Sequence, residues 1–352
     1  MPSTSTNQRS DKPSGQPSER LLSSPRHLFV IMAISAAAIV IVGLVVLAIG
    51  VYSAHWRSPT VKTVSRLVPL PTATVNGQWL SYYNFLDAID TLNISLSKPE
   101  VLRASGFSTK PTLGQLQTLV LERMVKDAIV EQLAAKRGVV VTPAALDAEI
   151  KKLTSQTGSP ADVEQQIRAL YGWDLNTFSQ RVVKPFLIRQ RLQESISADD
   201  KINADQIKAA ESAWQRVKAG KEDFKVLAAE LNQDSTKNTE GDLGIFGRGE
   251  RVQALEDAVF ALEVGQTSGI VRTVEGFHIL KLLEKIPADP ASDQGERVHA
   301  AHIFILAKQL DQWLFEQTKQ QRVTILLSGY QWDSANARVI ASKAPLPESS
   351  TP

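Results

Sequence analysis

The sequence predicts an α+β protein that follows a single transmembrane helix near its N-terminus. Residues 28–54 run without a charged side chain, as a membrane-spanning helix requires. A long middle region has apolar residues at helical spacing, bounded by capping residues. Beyond residue 203, helical segments give way to glycine-punctuated stretches in which apolar and polar residues alternate, as they do in strands. At 352 residues, the chain is long enough for about two domains and flanking tails.

Composition excludes several classes of function. The chain has 39 basic and 37 acidic residues. Residues 1–26 hold four basic and two acidic residues, so the remainder is electrically balanced. A neutral body argues against nucleic acid as a partner, because phosphate binding requires positive charge. The absence of cysteine excludes thiol nucleophiles, disulfides and iron–sulfur clusters. Five histidines disfavour a histidine-rich metal site, and we predict neither a metal nor a cofactor.

The uncharged run predicts an anchor in the plasma (inner) membrane. A helix over residues 28–54 would span roughly 40 Å at about 1.5 Å per residue, more than the hydrocarbon core of about 30 Å. A cleaved signal peptide is the alternative, but its apolar core is typically about 7–15 residues. Basic residues flank both ends, and a long domain can be exported regardless of such charges. We therefore predict a disordered cytoplasmic tail over residues 1–27, a single membrane pass, and an extracytoplasmic main body.

The region after a predicted linker (55–71) begins with a hairpin and continues as helices. Asn76-Gly77 favours a type I′ turn, because both residues tolerate positive φ. Ser81 is a candidate N-cap for the first helix. A long helix is predicted from Leu113 to Lys136, with Gly138 closing it. Three further helices are predicted, two opened by Thr142-Pro143 and Ser159-Pro160, and one over Leu175–Ser195.

From Asn203 onward the predicted elements are shorter. A helix over Asn203–Lys218 and a second one through Leu227 precede the closely spaced glycines of "GDLGIFGRG". A short helix over Glu256–Leu262 follows, and then two strands over Gly269–Arg272 and Phe277–Leu283.

Two parts of the chain resemble known families. The series "GDLGIFGRG", "EDAVFAL" and "GFHILKL" within residues 203–285 resembles the parvulin-type peptidyl-prolyl isomerases. That resemblance implies an antiparallel sheet with helices, of the FKBP-like superfold. The segments "ATVNGQWLS" and "LVLERMVKDAIVEQLAAKRGVVVT" resemble the N-terminal helical domain of SurA/PrsA-type chaperones, over residues 72–197. An unrelated helical spacer is the alternative for this second part.

The parvulin resemblance implies an opening strand that carries a core histidine, and residues 196–201 do not supply it. Residues 296–306 ("ERVHAAHIFIL") match such a strand, although they come after the rest of the domain. They belong either to a truncated second parvulin domain or to a circularly permuted one. We favour permutation, because no second glycine series follows Leu306. The predicted isomerase domain therefore spans 203–306.

The same resemblance implies two sets of site residues. The catalytic set is Asp234, His302, His278 and Thr273, joined across the sheet by hydrogen bonds. The set that binds the substrate proline is Leu243, Phe246, Arg251 and Leu255. At two of these positions the family usually has Met and Phe, where this chain has Arg251 and Leu255. Arg251 therefore brings a charge to the edge of the apolar slot. His299 is assigned no role.

The remaining expectations concern the C-terminus and the function. Residues 309–328 are predicted as a helix and a strand that return to the N-terminal domain, where Val323–Leu327 would pair with Ala73–Val75. Residues 343–352 are predicted to be disordered. The resemblances imply an extracytoplasmic foldase that isomerises Xaa-Pro bonds and holds unfolded or newly exported, proline-containing polypeptides. The alternative is a holdase without catalysis.

Overall fold

The computed structural model describes residues 25–157, 159–288 and 295–342. It confirms the predicted α+β class: helices predominate, and all strands pair antiparallel. The chain divides into two compact units, Met1–Val64 and Ser65–Pro352. The tails predicted to be disordered, 1–27 and 343–352, lie outside the described residues, apart from residues 25–27.

The first unit contains helix α1 (Pro25–Tyr52). In the described part of the chain, one helix (Met32–Tyr52) is long and apolar enough to cross a membrane. The predicted linker 55–71 is corrected, because residues Pro59–Leu67 form helix α2. The side chain of Ser58 accepts a hydrogen bond from Val61 N at 3.3 Å. Ser58-Pro59 is thus the same cap-and-proline signal that opens two of the predicted helices.

The elements that follow form a hairpin and a group of helices. In chain order they are β1 (Pro71–Val75), β2 (Gln78–Ser81), α3 (Tyr82–Ser95), α4 (Pro99–Ala104), α5 (Leu113–Lys136), α6 (Pro143–Thr157), α7 (Pro160–Tyr171), α8 (Leu175–Phe178) and α9 (Lys184–Ser197). Asn76 and Gly77 have φ values of 50° and 88°, as the predicted turn requires. The helix predicted over 175–195 is interrupted by a π-helical turn at Ser179–Val183. This turn accommodates Pro185, which has no N–H to donate.

The region predicted to be an isomerase domain contains α10 (Ala204–Ala219), α11 (Phe224–Leu231), a 3₁₀ turn (Ser235–Thr239), β3 (Asp242–Gly247), α12 (Gln253–Phe260), β4 (Thr267–Arg272), β5 (Gly276–Ile286) and β6 (Arg297–Leu306). The four strands form an antiparallel sheet in the order β3-β6-β5-β4. The strand that comes last in sequence is therefore a central one. It pairs with β5 from Gly276↔Leu306 to Ile286↔Arg297.

Helices cover the two faces of this sheet. Leu280, Leu282 and Val298 belong to the buried cluster that includes α12. Ile279 and Ile303 belong to the cluster on the α10–α11 side. This alternation fixes the register of β5 and β6, because a slip of one residue would move apolar side chains to the wrong face.

The chain then returns to the helical region through α13 (Leu310–Thr318), β7 (Val323–Ile325), β8 (Tyr330–Asp333) and β9 (Arg338–Ala341). The predicted pairing of the C-terminal strand with β1 is confirmed, with Ala73↔Ile325 and Val75↔Val323 in register. The β8–β9 hairpin was not predicted. It is held by contacts distant in sequence, among them Tyr330 Oη to Gln117 Oε1 at 2.8 Å.

Two glycines make room for β6. A Cβ at Gly241 would lie 2.3 Å from the carbonyl oxygen of His302, and Gly241 also has a φ of +82°. A Cβ at Gly276 would lie 2.2 Å from the carbonyl oxygen of Ile305. Since such separations do not occur between a real Cβ and an oxygen, only glycine allows the backbone of β6 to approach this closely.

Candidate active site

Two histidines meet on the central strands. His278 on β5 and His302 on β6 expose 2% and 3% of their surface. Their Nδ1 atoms are 3.1 Å apart. Phe304 stacks on the His278 ring, with ring centroids 4.6 Å apart. Two of the four predicted catalytic residues are therefore packed together inside the sheet.

The other ring nitrogen of His302 faces a short polar turn. Its Nε2 lies 3.2 Å from Asp234 Oδ2 and 3.0 Å from Thr236 Oγ1. Asp234 caps the 3₁₀ turn, accepting from the N–H of Thr236 at 3.1 Å and from its hydroxyl at 2.5 Å. The Asp234 side chain is 29% exposed, so the carboxylate connects the buried histidines to solvent.

Thr273 completes the chain of contacts at the opposite end. Its Oγ1 lies 3.0 Å from Nε2 of His278. The same oxygen accepts from the N–H groups of Glu275 and Gly276, each at 3.2 Å. The hydroxyl proton can then be donated to the imidazole at 3.0 Å or to the carbonyl oxygen of Gly276 at 3.4 Å, and the imidazole is the nearer acceptor.

One order of donors and acceptors joins Thr273, both rings and Asp234, and it assigns both tautomers. The Thr273 hydroxyl donates to His278 Nε2, and His278 Nδ1–H donates to His302 Nδ1. His302 Nε2–H then donates to the carboxylate of Asp234. All protons in this chain point toward Asp234, so its negative charge is stabilised through two rings.

Burial keeps both rings neutral. It lowers the pKa of His278 to about 3, and the neighbouring His302 acts in the same direction. Burial also lowers the pKa of His302, although the Asp234 carboxylate acts in the opposite direction. At neutral pH both imidazoles are therefore uncharged.

The turn that carries Asp234 is tied to the strand that carries His302. Asn232 is 2% exposed. Its Oδ1 accepts from Phe304 N at 2.8 Å, and its Nδ2 donates to the carbonyl of His302 at 3.1 Å. Nδ2 also donates to Thr236 Oγ1 at 2.8 Å. Sequence reasoning missed Asn232 and Thr236. The run "NQDST" marks a polar turn, but the contacts with β6 depend on the fold.

The residues predicted to form the proline slot lie together, but the apolar ones are closed off. Phe246 and Leu255 are 1% and 8% exposed and belong to the core under the sheet, with Leu243 packed against them. The guanidinium of Arg251 lies 5.4 Å from the centroid of the Phe246 ring. It donates through Nη2 to the carbonyl of Leu243 at 2.8 Å. A charged group therefore covers the floor of the predicted slot.

The buried carboxylate of Glu256 fixes the loop that carries Arg251. It accepts from the N–H groups of Gly249 and Arg251, both at 2.8 Å. These bonds, the one from Gly249 first, lower the pKa of Glu256. His299, which was assigned no role, bonds Asp242 at 2.8 Å. It lies three positions from His302 on β6, and so on the opposite face of the strand.

The arrangement has the features needed to lower a torsional barrier. It offers a partly exposed carboxylate held at a fixed position and a neutral hydrogen-bond chain behind it. In the described part of the chain, no group of three or more His, Asp or Glu side chains could hold a metal ion.

Comparison with known proteins agrees with the geometry. The family described as "Rotamase: PPIC-type PPIASE domain" matches residues 188–284. That range includes Asp234, Thr273 and His278 and ends before β6. The chain is 32% identical over 184 residues to "Foldase protein PrsA" of Caldanaerobacter subterraneus subsp. tengcongensis, covering 50% of this chain and 59% of that protein.

A second relative is covered more fully. The chain is 30% identical over 203 residues to "Foldase protein PrsA" of Geobacillus sp. (strain WCH70), covering 52% of this chain and 71% of that protein. A crystal structure of "Peptidylprolyl Isomerase (PrsA) from Bacillus cereus" shares 22% identity, covers 52% of this chain and 76% of that one, and superposes with a TM-score of 0.22. By the similarity to the Geobacillus protein, the chain belongs to the PrsA foldase family, and it contains a parvulin-type peptidyl-prolyl isomerase domain.

Proposed function

We propose that this protein is a membrane-anchored extracytoplasmic foldase that catalyses cis/trans isomerisation of Xaa-Pro bonds in newly exported polypeptides. The continuous chain of contacts Asp234–His302–His278–Thr273 carries this proposal. It holds a partly exposed carboxylate at a fixed position, where the carboxylate can act on a bound Xaa-Pro bond.

The reaction needs neither a nucleophile nor a cofactor. The Xaa-Pro bond resists rotation with a barrier of about 20 kcal/mol, because the C–N bond has partial double-bond character. Rotation removes that character: it localises the lone pair on the proline nitrogen and reduces the negative charge on the carbonyl oxygen. The Asp234 carboxylate is positioned to interact electrostatically with the imide as its charge distribution changes. The contact with His302 holds the orientation of this carboxylate. Each tenfold acceleration requires about 1.4 kcal/mol of differential stabilisation, which a preorganised polar group in a partly desolvated site can supply.

We also propose that the isomerase domain is circularly permuted. Its support is the position of β6, which lies between β3 and β5 and carries His302 although it is the last strand in sequence. A truncated second domain would instead need a sheet of its own. The family match ends at residue 284, so β6 lies outside it.

The membrane placement rests on α1. Its apolar side chains, such as Ile39 (73% exposed) and Val42 (62%), face outward and would be covered by lipid. Since the chain has no cysteine, orientation can be tested with single-cysteine variants. Ser10→Cys should react with a membrane-impermeant maleimide only after lysis, whereas Asp311→Cys should react in intact cells. The reverse pattern would contradict the proposed orientation.

Client holding is the second activity. Several large apolar side chains of the helical region are exposed, among them Trp79 (61%), Val140 (64%) and Phe186 (56%). Such side chains suit transient contact with unfolded chains. A holdase that uses the same surfaces without catalysis remains the competing proposal.

The deciding experiment compares isomerisation with client protection. The full-length protein in detergent is assayed with a short Ala-Pro peptide and, separately, for suppression of aggregation of a denatured protein. Asp234→Ala should lower kcat/KM at least about tenfold, as loss of a positioned electrostatic group does. Asp311→Ala is the control, since that side chain is 86% exposed on α13. No acceleration by the unmodified protein refutes the enzyme proposal, and aggregation suppression that persists in Asp234→Ala then favours the holdase.

A further inference from the structure

The guanidinium of Arg251 lies at the predicted slot without a carboxylate partner. Its one hydrogen bond to another described residue goes to the neutral carbonyl of Leu243, and its flat face rests on Phe246. It makes no ion pair with any carboxylate in the described ranges. Arg251 is exposed, so its remaining guanidinium N–H groups are accessible to solvent.

Other arginines of the same region are neutralised. Arg216 pairs with Glu222 and Glu230, each at 2.7 Å. Arg272 pairs with Asp200 at 2.6 Å. Arg248, three residues before Arg251, pairs with Asp257 at 3.7 Å. These three arginines are ion-paired, whereas Arg251 has no carboxylate partner among the described residues.

Two carboxylates of the same region, those of Glu256 and Asp234, are already engaged. Glu256 accepts from the main-chain N–H of Arg251 and not from its guanidinium. Asp234 accepts from Thr236 and lies against His302. The positive charge of Arg251 nevertheless acts on the catalytic network electrostatically, since Arg251 contributes to lowering the pKa of His302.

We infer that Arg251 is a specificity-determining residue that selects Xaa-Pro segments with an acidic side chain next to the proline. This inference rests on the proposed isomerase function. A guanidinium presents parallel N–H donors that match a carboxylate, and such a pair is both stronger and more directional than a lysine contact. Because the group sits on the floor of the slot, the side chain it meets belongs to a residue that flanks the bound proline.

The location also explains why a neutral substrate should be handled less well. A proline ring would have to rest on Phe246, which the guanidinium covers. A carboxylate beside the proline gives the guanidinium a partner and draws it away from the ring. An uncharged neighbour offers no such compensation.

The test uses the full-length protein in detergent and three peptides that differ only before the proline: Ala-Glu-Pro-Phe, Ala-Gln-Pro-Phe and Ala-Lys-Pro-Phe. We expect kcat/KM for the Glu peptide to exceed that for the Gln peptide by about 3- to 10-fold at low salt, and the Lys peptide to be slowest. The preference should shrink in 0.5 M salt, as screening requires. Arg251→Met should abolish the preference and improve the Gln peptide, while Arg251→Glu should favour the Lys peptide. Arg248→Met is the matched control and should keep the original order.

A Glu preference that survives unchanged in Arg251→Met overturns the inference while leaving the isomerase proposal intact. If no peptide is isomerised, the isomerase proposal fails, and the inference is then judged from the binding of fluorescently labelled peptides. Equal affinities for the Glu and Gln peptides, or a difference that Arg251→Met does not remove, would overturn it. Tighter binding of the Glu peptide that disappears in Arg251→Met supports it.

Discussion

Replacing Gly241 with alanine tests whether β6 is packed where the active site needs it. The added Cβ would lie 2.3 Å from the carbonyl oxygen of His302 and 2.8 Å from the Cβ of Ala228. Neither neighbour is the end of a flexible side chain, so β6 or α11 would have to move. Gly241 also has a φ of +82°, at which an alanine is strained.

Gly244→Ala provides the matched control. Gly244 has a similar φ of +73°, but no atom lies within 4 Å of its added Cβ. Strain at positive φ costs about 1–2 kcal/mol in either variant. The loss of unfolded-state freedom is also common to both and cancels in the comparison. The difference between the variants is then the cost of overpacking against β6, about 1–3 kcal/mol.

Hydrogen exchange measured by mass spectrometry on the full-length protein reports this difference directly. Peptides that cover residues 297–306 should exchange about 5- to 150-fold faster in Gly241→Ala than in Gly244→Ala, the factor that corresponds to 1–3 kcal/mol. Isomerase activity should fall in the same order. Equal exchange in the two variants would refute the reasoning, because it would mean that His302 does not lie against Gly241.

Three further predictions concern stability. Burial lowers the pKa of His278 to about 3, so below pH 6.5 the unfolded chain binds a proton at this residue that the folded chain does not. The free energy of unfolding should therefore fall by about 1.4 kcal/mol for each pH unit between pH 6 and pH 4. Urea titrations should show a weaker pH dependence of this free energy in His278→Gln, and an unchanged pH dependence would contradict the assignment. Asn232→Ala leaves buried main-chain groups of β6 unpaired and should cost about 2–4 kcal/mol, whereas the exposed Asn238→Ala should cost less than about 0.5 kcal/mol. Tyr330→Phe removes the buried hydrogen bond to Gln117 and should cost about 1–2 kcal/mol in urea unfolding, with a loss near zero arguing against docking of the C-terminal hairpin.

The parts of the fold that follow from local signals were predicted closely. The bounds of α5 agree at both ends, because Thr112 and Gln115 form a capping box and Gly138 turns the chain at a φ of 71°. Both signals can be recognised within a few residues of the helix ends. The 3₁₀ turn and the β8–β9 hairpin lack such signals. The hairpin depends on contacts such as Val339 N to Glu122 Oε2 at 3.1 Å, which join segments far apart in sequence.

The candidate site likewise has one part that could be predicted from the sequence and one part that could not. A motif resemblance placed Asp234, His278, His302 and Thr273 in one network, and the structure brings these four side chains together. The resemblance could not predict how the slot is closed. Phe246 was expected to line an accessible slot, yet it is almost fully buried under the guanidinium of Arg251. Phe246 packs into the core beneath the sheet and contacts Arg251 instead of lining an open slot.

The late position of β6 links the active site to the rest of the molecule. The strand runs from His302 through Ala307 into α13, whose Leu310 and Trp313 belong to the same buried cluster as β1 and α5. Lys308 N also donates to the fully buried Asn203 at the start of α10. A displacement of α13 would therefore be transmitted along a continuous strand to an imidazole that is 3% exposed. Because β6 follows β3, β4 and β5 in the chain, the isomerase sheet cannot be completed until β6 has been synthesised. The catalytic network and the core of the helical region thus depend on the same stretch of chain.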